Sequence, residues 1–80
     1  MPNSLSITWL GHSTFVIGLL SGKRLVVDPW LGNPNCPAAF TKPEALKPVD
    51  LILVSHGHSD HTGDVLSVAR ATGAPVVCMF

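Results

Sequence analysis

Three histidines and two aspartates crowd into one short stretch: His56, His58, Asp60, His61 and Asp64. Imidazole nitrogens and carboxylate oxygens are the donors that hold zinc and similar divalent cations, so the chemistry this cluster offers is metal binding. A plain strand-to-helix loop capped by Asp60 or Thr62 would use one side-chain oxygen and leave all three histidines unexplained. His56 and His58 stand two positions apart, which on an extended backbone sends both rings to the same side. Gly57 between them lets the chain pass close to whatever they hold.

Such a cluster needs a rigid mount, and the residues before it supply one. Leu51, Ile52, Leu53 and Val54 form an apolar run bounded by Pro48 and Asp50 on one side and Gly57 on the other, the pattern of a buried strand. The donors begin where that strand stops. After them, residues 64–73 read as a helix: Val65, Leu66, Val68 and Ala69 give an apolar face, Asp64 suits the positive N-terminal end, Arg70 the C-terminal end, and Gly73 a C-cap. Residues 75–80 form a last strand. Strand, helix, strand is a βαβ unit, so residues 51–54 and 76–79 are expected to lie parallel in one sheet.

The run His56-Gly57-His58-Ser59-Asp60-His61 resembles the His-x-His-x-Asp-His motif of the metallo-β-lactamase superfamily of metal-dependent hydrolases at all four defining positions. The resemblance implies that His56 and His58 bind one metal ion while Asp60 and His61 bind a second. It implies two divalent ions, zinc first and manganese or iron as alternatives, and a bridging hydroxide that attacks an ester, lactone, amide or phosphodiester of a small-molecule substrate. Asp60 would also be a catalytic residue if it takes the proton of that water. Redox di-iron members of the superfamily carry glutamate where this chain has His58, so the histidine favours hydrolysis. The stretches Gly11-His12-Ser13-Thr14-Phe15 and Asp28 to Pro34 are similar to features of one uncharacterised metal-dependent hydrolase branch.

Ahead of the motif, Leu5 to Leu10 alternates at period two, placing Leu5, Ile7 and Trp9 on one face of a half-buried strand. Residues 14–20 and 24–28 are two more β-rich runs joined by the turn residues Ser21, Gly22 and Lys23. The three strands are expected to form an antiparallel meander. Asp28 ends the third of them, where its carboxylate would accept an imidazole N–H or order the metal loop from behind; the alternative is a turn cap ahead of Pro29. His12, after the first strand, is a candidate catalytic hydrogen-bond donor at the mouth of the site, or an ordinary turn histidine. From Pro29 to Pro48 the chain loses periodicity and gains prolines at 34, 37 and 43. A loop of that length is expected either to form a flap, with Trp30, Leu31 and Phe40 lining a substrate wall, or to fold down on the core. Glu44 to Lys47 has the makings of one helical turn.

The expected fold is α/β (α+β), a β-meander followed by a βαβ unit, which resembles the N-terminal part of a metallo-β-lactamase-like αββα sandwich. With 80 residues, 46% of them hydrophobic and only 12% charged, the composition resembles the inside of a larger domain, since a typical charged share is about 25%. Residues 1–80 thus read as the N-terminal portion of a single, truncated domain. Further metal ligands are expected from beyond Phe80, and weak metal binding with little turnover from this stretch alone. The second hypothesis is a non-catalytic metal-binding or assembly fragment that needs a partner chain, or that forms a homo-oligomer or aggregates through an open sheet edge. A formal net charge of zero, with no run of either sign, argues against nucleic acid and anionic membranes as partners. Cys36 and Cys78 lack zinc-ribbon spacing and read as reduced thiols. No secretory signal or long apolar run is visible, and the expected location is cytoplasmic.

Overall fold

The computed structural model describes residues 5–55 and 63–78. They form one five-stranded sheet in the order β1-β2-β3-β4-β5, with β1 at Ser6–Trp9, β2 at Phe15–Gly18, β3 at Arg24–Val27, β4 at Leu51–Val54 and β5 at Val76–Cys78. Between β4 and β5 lies a helix, α1 at Val65–Thr72. The meander is antiparallel as expected: Ile7 faces Ile17 across β1 and β2, and Ile17 faces Leu25 across β2 and β3. The βαβ unit is parallel, with Ile52 beside Val76 and Leu53 beside Val77.

The two halves are fused by a parallel β3–β4 pair in which Val26 stands beside Ile52. At its start, Asp50 and Arg24 bind each other through the backbone. The Asp50 amide donates to the Arg24 carbonyl at 2.8 Å, and the Arg24 amide donates to Asp50 Oδ2 at 2.9 Å. Parallel neighbours need a crossover. Here residues 28–50 provide it.

That crossover folds down on the core rather than standing off as a flap. Leu31, Leu46 and Val49 are buried, and Phe40 and Cys36 are partly buried against the same cluster. The physical cause is plain: a long irregular segment with apolar side chains gains more from covering the sheet than from solvation. Two short 3₁₀ turns shape it, at Ala38–Phe40 and Pro43–Leu46. The second supplies the helical turn anticipated near Glu44 and packs against α1.

Sheet register sorts the side chains into two faces. Val16, Val26, Ile52 and Val54 share one face and are buried under α1 and the crossover, together with Leu10, Val68 and Ala74. The other face carries Ile7, Trp9, Phe15, Ile17, Leu25, Val27, Leu51, Leu53 and Val77, and none of these is buried. The expectation of a half-buried first strand is therefore corrected: Ile7 is 64% and Trp9 53% exposed. Their alternation is real, but it points to the face that the described residues leave uncovered.

Helix α1 ends as its sequence indicates. Gly73 takes φ +71° and its amide donates to the Ala69 carbonyl, a left-handed C-cap that glycine adopts without the cost a Cβ would bring. The helix starts directly after Asp64, as expected, and the Asp64 side chain makes no capping bond to its own helix.

Candidate active site

In a sheet with β1, β3, β4 and β5 all pointing the same way, the segments that follow these strands gather at one edge. This brings together the turn after β1 with His12, the exit from β3 with Asp28, and the exit from β4 with Ser55. The four motif residues His56, His58, Asp60 and His61 lie outside the described residues. Among the described residues, no three His, Cys, Asp or Glu side chains come together as a metal site.

Asp28 is the pivot of the described edge. It is 3% exposed and sits at φ +48°, a left-handed conformation that aspartate tolerates better than most residues. Its amide donates to the Leu53 carbonyl at 2.8 Å. Its Oδ1 accepts the Ser55 amide and its Oδ2 the Ser55 hydroxyl, both at 2.6 Å. One carboxylate thus accepts from both the amide and the hydroxyl of the residue directly before His56. Charge-assisted bonds of this kind are short and stronger than neutral ones.

Behind Asp28, the fully buried Thr14 holds the bend in place. Its hydroxyl donates to the Asp28 carbonyl at 2.7 Å and accepts the Trp30 amide at 3.0 Å. Asn33 does similar work one turn further on. Its Nδ2 donates to the Leu10 carbonyl at 3.0 Å and the Trp30 carbonyl at 2.6 Å, while its Oδ1 accepts the Asn35 amide at 2.9 Å. Gly11, at φ +92°, lies directly against the Asn33 side chain, so that any Cβ there would overlap it. Thr14 and Asn33 lie in the two stretches that resemble the hydrolase branch, but neither had a role legible in the sequence. A small polar residue signals its partners only when those partners are distant in sequence but fixed in space.

His12 is exposed, at φ +50°. Its ring meets Trp30 edge to face, with centroids 5.2 Å apart and planes at 74°, and its carbonyl accepts the Trp9 Nε1–H at 2.8 Å. The structure therefore places His12 at the same edge as Asp28, with Trp30 between the turn and the crossover. Trp30 is half-buried, whereas Leu31 next to it turns into the core.

On the far side of the motif, Asp64 ties back to the same crossover. Its amide donates to the Pro29 carbonyl at 2.9 Å, and its Oδ2 accepts the Leu31 amide at 2.6 Å. Cys36 lies within range of this carboxylate. Burial first, and the Asp64 charge second, push the Cys36 thiol up from its ordinary value of 9.0. Both cysteines are free thiols. A raised thiol pKa keeps Cys36 protonated near neutral pH and a poor nucleophile. Its alkylation by iodoacetamide should rise with pH through a midpoint above the ordinary thiol value, and Asp64→Ala should lower that midpoint; rates followed by mass spectrometry would check both. In stability terms the folded state holds this proton more tightly than the unfolded chain, so stability falls as pH climbs past the unfolded thiol value.

Residues 6–71 match the Beta-lactamase superfamily domain. The chain belongs to that family. Among its relatives, a UPF0173 metal-dependent hydrolase of Caldivirga maquilingensis is 46% identical over 74 residues, covering 92% of this chain and 31% of the relative. One of Herpetosiphon aurantiacus is 51% identical over 72 residues, covering 89% and 29%. Among solved structures, a novel metallo hydrolase from the hyperthermophilic archaeon Ignicoccus hospitalis superposes with a TM-score of 0.77 at 33% identity, over 90% of this chain and 30% of that one. The match to the Beta-lactamase superfamily domain thus takes in the meander, the crossover, β4 and α1 up to residue 71. The chain spans about 30% of the length of the relatives it matches. No helix among the described residues is long and apolar enough to cross a membrane.

Proposed function

We propose that this chain contributes the first metal-binding loop of a metal-dependent hydrolase centre acting on an ester, lactone, amide or phosphodiester. In this reading His56 and His58 hold one divalent ion and Asp60 and His61 a second, with zinc the best match to an imidazole-rich set. The observation that carries it is the double grip of Asp28 on Ser55, a buried carboxylate that fixes the residue from which the donor cluster starts. The donors fit such ions by chemistry: neutral imidazoles suit a borderline cation, and the carboxylate of Asp60 offsets part of the charge of two cations held close together. Bound there, the ions would acidify water and stabilise negative charge developing on the attacked group.

The chain's own residues have complementary tasks. Asp28 orders the root of the loop without touching substrate. His12 and Trp30 border the same edge, where the imidazole can donate a hydrogen bond to a substrate oxygen and the indole can bound its apolar part. Asp60, beside the second pair of donors, is placed in sequence to accept a proton from water. Neutral net charge favours a small molecule over nucleic acid as substrate.

Metal content decides the matter. Purified with zinc or manganese and measured by inductively coupled plasma mass spectrometry, the full-length wild-type protein should retain metal that His56→Ala and His58→Ala both lose, together with any esterase or phosphodiesterase turnover. Equal metal in wild type and both variants would sink the proposal. A second reading, a non-catalytic fragment that assembles with another chain, draws support from the uncovered apolar face of the sheet.

A further inference from the structure

The turn that follows β1 holds an exposed histidine in an uncommon conformation. Gly11 and His12 take φ +92° and +50° in succession, and for His12 this is a left-handed backbone that a residue with a Cβ adopts only where its surroundings hold it. The turn is held from both ends. The Thr14 amide donates to the Gly11 carbonyl at 3.0 Å, and the Trp9 Nε1–H donates to the His12 carbonyl at 2.8 Å. The His12 ring then meets Trp30, with centroids 5.2 Å apart and planes at 74°. Trp30 is a fixed wall, because its amide donates to the Thr14 hydroxyl at 3.0 Å and its carbonyl accepts Asn33 Nδ2 at 2.6 Å.

We infer that Trp9 is a positioning residue for His12, its indole N–H fixing the His12 peptide so that the imidazole stands against Trp30 at the sheet edge. The inference rests on the reading of His12 as a hydrogen-bond donor to substrate. Trp9 stands on the uncovered face of the sheet, opposite Phe15, where any large apolar side chain would serve a strand. What tryptophan adds there over leucine or phenylalanine is one donor. That donor is directed past the end of β1 to a carbonyl three residues on. Trp9 is 53% exposed, so among the described residues packing leaves much of the indole uncovered, and the bond to the His12 carbonyl is what ties it to the turn. With its peptide held by Trp9 and its ring stopped by Trp30, the imidazole has less conformational freedom to lose when a substrate oxygen arrives.

The test uses the zinc-loaded full-length protein, labelled at histidine Cε1 for NMR and assayed with nitrophenyl esters and phosphodiesters. His12→Ala assigns the His12 signal, and Trp30→Leu shows how far the Trp30 ring displaces it. Trp9→Phe keeps an aromatic body on the strand and removes only the donor. It should move the His12 signal toward its position in Trp30→Leu and lower kcat/KM by about 3–10-fold, the worth of one hydrogen bond. The double variant Trp9→Phe/His12→Ala should be no slower than His12→Ala alone, since Trp9 acts through His12. Ile7→Ala, on the same face of β1, is the control and should leave both the signal and kcat/KM as in wild type. An unmoved His12 signal in Trp9→Phe, multiplied losses in the double variant, or an equal shift in Ile7→Ala would overturn the role of Trp9. A wild-type protein that turns over none of these substrates would instead count against the hydrolase reading, and the NMR signal alone would then decide whether Trp9 holds His12.

Discussion

Asp28→Ala should destabilise the protein by about 2–4 kcal/mol and loosen metal binding by about 10–100-fold. Two costs combine. The first is the loss of an ionised acceptor for the Ser55 amide and hydroxyl, since hydrogen bonds to charged groups contribute roughly 1.5–3 kcal/mol. The second is conformational. The backbone at this position holds φ +48°, where a Cβ with no polar group to compensate costs on the order of 1–2 kcal/mol. Asp28→Asn separates the two, because asparagine tolerates the same φ and keeps one acceptor for the Ser55 amide. It should lose less than half as much stability in chemical denaturation. If Asp28→Ala unfolds at the wild-type denaturant concentration, the Ser55 grip is dispensable and the account of the β4 exit is wrong.

The same residue shows how far the sequence could be read. A carboxylate closing the apolar run Leu25 to Val27 and followed by proline marks a strand end, and that end lies beside the exit of Leu51 to Val54 only if the two strands pair, which the structure shows they do. Strands, helix limits and parallel pairing were legible because each rests on a local pattern: β-branched runs, a glycine C-cap, a strand-helix-strand order. The destination of the Asp28 oxygens was not, because Ser55 carries no local signal that it will be a partner. Asp64 shows a related limit. Its place before an apolar helix face reads as a charge suited to the helix N-terminus, and nothing local shows that its carboxylate accepts the amide of Leu31, far away in sequence. The crossover was ambiguous for the same reason, since nothing within residues 29–48 says whether Leu31 and Leu46 face solvent or the sheet. Strands apolar on both sides hide a further fact: their pattern cannot tell which face will be covered.

That hidden fact leads to a contrast between isoleucines. Ile52 is 0% exposed and lies in the centre of the core face, so Ile52→Ala should cost about 2–5 kcal/mol through lost burial and the cavity left behind. Ile7 is 64% exposed, and Ile7→Ala should change the stability of a monomer by less than about 0.5 kcal/mol. Its contribution should appear in association instead. Nine apolar side chains from five strands share the uncovered face with no charged residue among them, and each that becomes buried against a partner contributes about 1.5–3 kcal/mol. The polypeptide of residues 1–80 on its own should therefore self-associate in sedimentation at micromolar concentrations. Ile17→Lys distinguishes how. Ile17 lies on β2, inside the sheet, with its side chain on the uncovered face. Stacking of faces would be weakened at least tenfold by a lysine there, whereas strand addition along the β1 edge would use the backbone of Ser6–Trp9 and barely respond. A wild-type polypeptide that stays monomeric at every concentration would exclude both, and would require the apolar face to be tolerated in water by a chain with very little charge to keep it dispersed.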